Sequence, residues 1–142
     1  MAKGISTIEL AVTPEEAWQL LSDRARYAEW LSVHSGWQEE SLPALEVGQS
    51  FTQLLKLMGP PSPVLWTVTA HEPGSRLELT GKGPTEVGAR FAIEVGPAGA
   101  GSSVELVLEL FGGPIDGALG KMIEPGLCTE MAKSLTNLAG LS

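Results

Sequence analysis

The sequence predicts an α+β protein: an antiparallel sheet of consecutive strands, two short helices after the first strand, and a long C-terminal helix covering the sheet. Three observations predict it. Apolar residues alternate with their neighbours through most of residues 49–111. Clusters of Gly and Pro at 59–63, 72–75, 81–84 and 96–102 divide that span into segments. Links this short join antiparallel neighbours, because a parallel pair needs a long crossover. From residue 115 the apolar residues recur at helical spacing instead.

The elements follow in order. Ile8, Leu10 and Val12 alternate with Thr7, Glu9 and Ala11, which predicts a strand over 5–12. Thr13-Pro14-Glu15-Glu16 then opens a helix over 14–22. Thr suits the N-cap, Pro fits the first helical position, and Glu16 completes a capping box. Asp23 caps a second short helix, 24–31, carrying Tyr27, Trp30 and Leu31. Residues 32–36 read as a loop and 37–41 as a short strand. Longer strands are expected over 49–58, from Val64 to His71, and over 76–80, 87–95 and 103–111. In the last segment Ile115, Leu119, Met122, Ile123, Leu127, Met131, Leu135 and Leu138 define one helix over 115–139. Pro125 lacks the N–H of a helix interior, so that helix is expected to kink or break near 121–126.

Composition bounds the function. The 142 residues include 9 Lys+Arg against 17 Asp+Glu, a formal charge of −8, with 43% hydrophobic and 18% charged residues. This suits one folded domain over 1–142 and argues against disorder. It also argues against a nucleic-acid binder, which needs basic surface to displace counterions. No apolar run approaches the roughly 20 residues of a membrane span. Cys128 is the only cysteine, which excludes an intrachain disulfide and fits a cytoplasmic protein.

Chemistry-bearing motifs are sparse. His34 and His71 are the only histidines, and no third ligand lies at metal-site spacing, so no metal and no cofactor are expected. His71 falls in alternation with Thr67 and Thr69, on the face read as outward. No Gly-x-Ser-x-Gly nucleophile turn is present. Gln53 stands out, because it sits on the apolar side of its strand between Phe51 and Leu55, and a buried amide needs partners.

Ile8-Glu9-Leu10-Ala11-Val12-Thr13-Pro14-Glu15-Glu16-Ala17-Trp18, the segment Asp23 to Leu31, Trp66-Thr67-Val68 and the closing helix together resemble the START-like superfamily, also called SRPBCC or Bet v 1-like. Within it the chain is similar to the polyketide cyclase/dehydrase and lipid transport family. Glu29-Trp30-Leu31-Ser32-Val33-His34, Trp37 and Gly112-Gly113-Pro114 resemble an actinobacterial subgroup labelled as the toxin of a toxin–antitoxin pair. The resemblance implies a helix-grip fold, with a curved antiparallel sheet of about seven strands wrapped around the C-terminal helix and a cavity between them. It implies a small hydrophobic ligand, lipid- or polyketide-like. In that arrangement the cavity lining is expected to comprise Trp30, Trp37, Phe51, Gln53, Leu55, Trp66, Val68, Leu79, Phe91, Met122 and Leu127, with His34 at the mouth.

Two other functions remain open. A cyclase or dehydratase would need a general acid or base inside the cavity, with His34, Tyr27 and Gln53 as candidates. A toxin would act through protein partners, its acidic surface meeting a small antitoxin. A homodimer is the other partner expectation.

Overall fold

The computed structural model describes residues 1–57 and 59–142. Its strands are β1 (Ala2–Leu10), β2 (His34–Trp37), β3 (Ser50–Leu55), β4 (Ser62–Glu72), β5 (Arg76–Lys82), β6 (Gly88–Ala98) and β7 (Gly101–Phe111). Helices α1 (Pro14–Ser22) and α2 (Tyr27–Trp30) follow β1, and α3 (Ala118–Leu141) closes the chain. All strand pairs are antiparallel, in the order β1-β7-β6-β5-β4-β3-β2. This is the helix-grip arrangement, with the sheet curled around α3.

Local chemistry accounts for the element ends. Thr13 Oγ1 accepts from the Glu16 N–H at 3.2 Å, with Pro14 at the first helical position. Asp23 Oδ1 accepts from the Ala25 N–H and starts a 3-10 turn over Arg24–Arg26, which leads into α2. The single helix predicted for 24–31 is therefore two short pieces.

Four further differences have physical causes. Strand β2 begins at His34, inside the stretch read as a loop, because a bulge between His34 and Gly36 interrupts the alternation. Strand β3 ends at Leu55, and Met58, the end of the predicted strand, lies outside the described residues. Strand β6 runs through Pro97 to Ala98, inside the predicted turn. The Val95 N–H points to Ser75 at the start of β5, so Pro97, two residues on, would donate past the end of that neighbour. Its missing N–H costs no ladder bond there. His71 faces inward: a bulge between Val68 and Ala70 shifts the register by one and pairs His71 with buried Leu77. Its ring stacks on Trp18, centroids 6.0 Å apart.

The core lies between the concave face and the helices. Registers align Phe51, Trp66, Gly81, Ala89 and Leu110 in one row across the sheet. Phe91, Ile93, Leu106 and Leu108 fill the next rows and share one core with Met131, Leu135 and Leu138 of α3. Helix α3 continues through Pro125 without a break. On the convex face Arg76, Glu78, Arg90 and Glu109 form a ladder of ion pairs across β5, β6 and β7.

Candidate functional site

The inner face does not fill the whole concave space, and side-chain size decides where space remains. Trp66 takes the room above Gly81, where a Cβ would come within 2.6 Å of the indole. The next inner residue of β4 is the smaller Val64, and β6 offers only Ala89 in the Trp66 row. Beyond them opens a cavity of about 470 Å³. Its sheet wall is Leu55, Val64, Ala89 and Leu110, and its helix wall is Ile115, Leu119, Met122, Ile123 and Leu127. Leu57 and Pro60 form one lip, Pro84, Thr85 and Val87 the other. Met122 is 77% exposed and stands on the open side.

Among the described residues the wall is mostly apolar, with one ionisable side chain, Glu130. Its carboxylate is held in place. The Ser32 hydroxyl donates to Glu130 Oε2 at 2.5 Å, the distance of a charge-assisted O–H···O⁻ bond. Ser134 fixes Ser32, its Oγ accepting from the Ser32 N–H at 2.9 Å and donating to the Glu130 carbonyl at 2.8 Å. Each proton is used once, so the cluster closes without conflict.

A second polar line runs beneath the aromatic cluster. Trp66 Nε1–H donates to Gln53 Oε1 at 2.9 Å. Since the Gln53 oxygen accepts, its amide nitrogen donates to His34 Nδ1, at 2.7 Å. That assigns the His34 proton to Nε2 and makes the ring neutral. Burial holds the His34 pKa below its ordinary value, in the same direction. The His34 ring contacts Trp37 at 4.8 Å and Tyr27 at 6.1 Å between centroids. Desolvation raises the Tyr27 pKa and keeps it a phenol. Among the described residues, the buried Tyr27 hydroxyl and Trp30 Nε1–H have no hydrogen-bond partner.

Of the residues predicted to line the cavity, the structure places Leu55, Met122 and Leu127 on its wall. Trp30, Phe51, Gln53, Trp66, Val68, Leu79 and Phe91 are buried in the core around it, and none of them belongs to the wall. Trp37 and His34 are half-buried in the aromatic cluster, with Trp37 Nε1–H donating to the Arg24 carbonyl. Glu130 was not singled out by the sequence, although a signal was present. It falls with Ile123, Leu127, Ser134 and Leu138 on one stripe of α3. Cys128 is half-buried and donates to the Lys3 carbonyl. Among the described residues no three His, Cys, Asp or Glu side chains converge as metal ligands. Among them, too, no helix is long and apolar enough to cross a membrane.

A sheet gripping a long helix, with an apolar cavity between the two, is the START-like fold. The chain belongs to the polyketide cyclase / dehydrase and lipid transport family, whose model matches residues 1–142. A protein named Toxin Rv0910, from Mycobacterium tuberculosis strain H37Rv, is 31% identical over 137 residues, which cover 96% of this chain and 95% of that one. An uncharacterized protein of the same strain, Rv1546, is also 31% identical, over 143 residues and 99% of both chains. Among solved structures, a START superfamily protein from Mycobacterium smegmatis aligns over all of both chains, with a TM-score of 0.72 at 17% identity. The protein TTHA0849 from Thermus thermophilus aligns over 97% of this chain and 94% of its own, with a TM-score of 0.77 at 15% identity. These structures share the fold. Family and fold together support a ligand-binding role.

Proposed function

We propose that the protein binds a small hydrophobic molecule, lipid- or polyketide-like, in the cavity between the sheet and the first half of α3. The observation that carries this reading is the cavity itself: about 470 Å³, apolar on both walls, with exposed Met122 at its open side. A space of this size and lining is typical of small-molecule sites. Leu55, Leu127 and Met122 are the proposed contacts, and methionine adapts its shape to varied ligands. A single cysteine fits a cytoplasmic setting.

The test is titration with Nile red, a neutral dye that fluoresces in apolar surroundings. The protein should bind it saturably, and Ala89→Phe should abolish binding while leaving the circular dichroism spectrum unchanged. Equal binding by Ala89→Phe would place the dye elsewhere and remove the reading.

A second reading is favoured by the relatives named as toxins. Under it the chain arrests growth when produced without its partner, and a basic antitoxin would complement the −8 charge. Inducible expression of the chain alone decides, and unimpaired growth counts against this reading. The catalytic reading has less support, since Glu130 stands on the wall without a second ionisable group.

A further inference from the structure

We infer that Glu130 selects the polar end of the ligand: the cavity accepts apolar molecules that carry a hydrogen-bond donor, a hydroxyl or an amine, and rejects apolar carboxylates. This rests on the cavity reading above and adds the class of ligand.

Among the described residues no Lys or Arg pairs with Glu130, and Oε1 accepts no hydrogen bond. Only Oε2 is engaged, by Ser32. The side chain is half-buried on a wall that is otherwise apolar apart from Ser62 and Thr85. A charge in such surroundings interacts more strongly than in water, because the local dielectric is lower. A ligand hydroxyl or ammonium reaching Oε1 gains a charge-assisted bond. A ligand carboxylate meets a like charge there and finds no cation on the wall to offset it.

The geometry also makes the discrimination rigid. Ser134 and Ser32 hold the Glu130 carboxylate through a closed set of bonds to α3 and to the segment after α2. The carboxylate therefore cannot swing out to water without breaking the 2.5 Å bond. A fixed repulsive group of this kind gives specificity by excluding the wrong ligand as well as by binding the right one.

The experiment is competition against Nile red at neutral pH with dodecanol, dodecylamine and dodecanoate, each below its solubility or micelle limit. Dodecanol and dodecylamine should displace the dye at least about tenfold more effectively than dodecanoate. In Glu130→Gln the dodecanoate gap should shrink to within about threefold, and dodecanol should weaken modestly, because its bond to the amide is no longer charge-assisted. Glu130→Leu serves as a second variant: it should close the gap through loss of the charge, and weaken dodecanol as well. Dodecanoate competing as well as dodecanol in the unaltered protein overturns the inference and leaves the cavity reading intact. So does a gap that persists in both variants. Saturable Nile red binding that none of the three displaces overturns the cavity reading as well.

Discussion

Gly4 of β1 lies against the backbone of Leu127 in α3, so closely that a Cβ at Gly4 would come within 2.6 Å of the Leu127 carbonyl carbon. The contact sets how near the helix sits to the first strand. Lys3 reinforces it on both sides, its N–H donating to Glu124 Oε1 at 2.9 Å and its carbonyl accepting from Cys128. Leu127 is also on the cavity wall, so this spacing fixes one dimension of the ligand space.

Gly4→Ala should therefore cost about 1–3 kcal/mol, the usual range for overpacking a tight interior. Urea unfolding measures it. The variant should also bind Nile red with altered affinity, because α3 has to move outward. An unchanged urea midpoint would mean that the helix shifts freely.

The Trp66–Gln53–His34 line predicts coupled stability. Gln53→Met keeps the volume but strands the buried Trp66 N–H, a loss of about 1–3 kcal/mol. Trp66→Phe removes that donor. The double variant should then be more stable than the sum of the single losses implies, by about 1 kcal/mol, in a double-mutant cycle of urea unfolding. Strict additivity would separate the two residues energetically.

His34 gives a pH dependence of known sign. Burial lowers its folded-state pKa below the ordinary 6.5, so the unfolded chain takes up the proton first as pH falls. The stabilising contribution is complete above 6.5 and is lost as pH falls from there through the folded-state value. Neutral Tyr27 against the ring supplies no anion to offset this. Stability measured at about pH 8 and about pH 5 should drop more for the unaltered protein than for His34→Gln. Equal drops would show that His34 titrates alike in both states.

Pro125 sits inside α3 and leaves the Lys121 carbonyl without its helical donor. Pro125→Ala restores that N–H and should raise stability by about 1–3 kcal/mol, read from thermal melts. Destabilisation would mean that packing around the proline outweighs the lost helical bond.

Much of this architecture was legible in the residue order. Alternation marked β1 and β3 to β7, and Thr13-Pro14 with Glu16 marked the start of α1, because these signals are local. What alternation cannot carry is an inserted residue. The bulge near Thr69 leaves the pattern of β4 unbroken as read in sequence, yet it turns His71 from solvent to Trp18. Strand β2 was hidden for the same reason, its bulge falling beside Gly36. The site was less legible than the fold. Apolar faces told which side of each strand points inward, whereas the location of empty space depends on rows across strands. Trp66 above Gly81 fills its part of the interior, and Val64 with Ala89 leaves the neighbouring part open. Glu130 is not marked by its helical stripe, whose other members are mostly apolar, and its serine partners lie 98 residues away at Ser32 and one turn on at Ser134.

Native mass spectrometry of the protein purified from its own host tests the central claim most directly. The account predicts a complex with a small apolar molecule that dissociates on denaturation, carries a hydroxyl or amine, and is absent from Ala89→Phe purified in parallel. A ligand-free mass for the unaltered protein, or an adduct retained equally by Ala89→Phe, would contradict it.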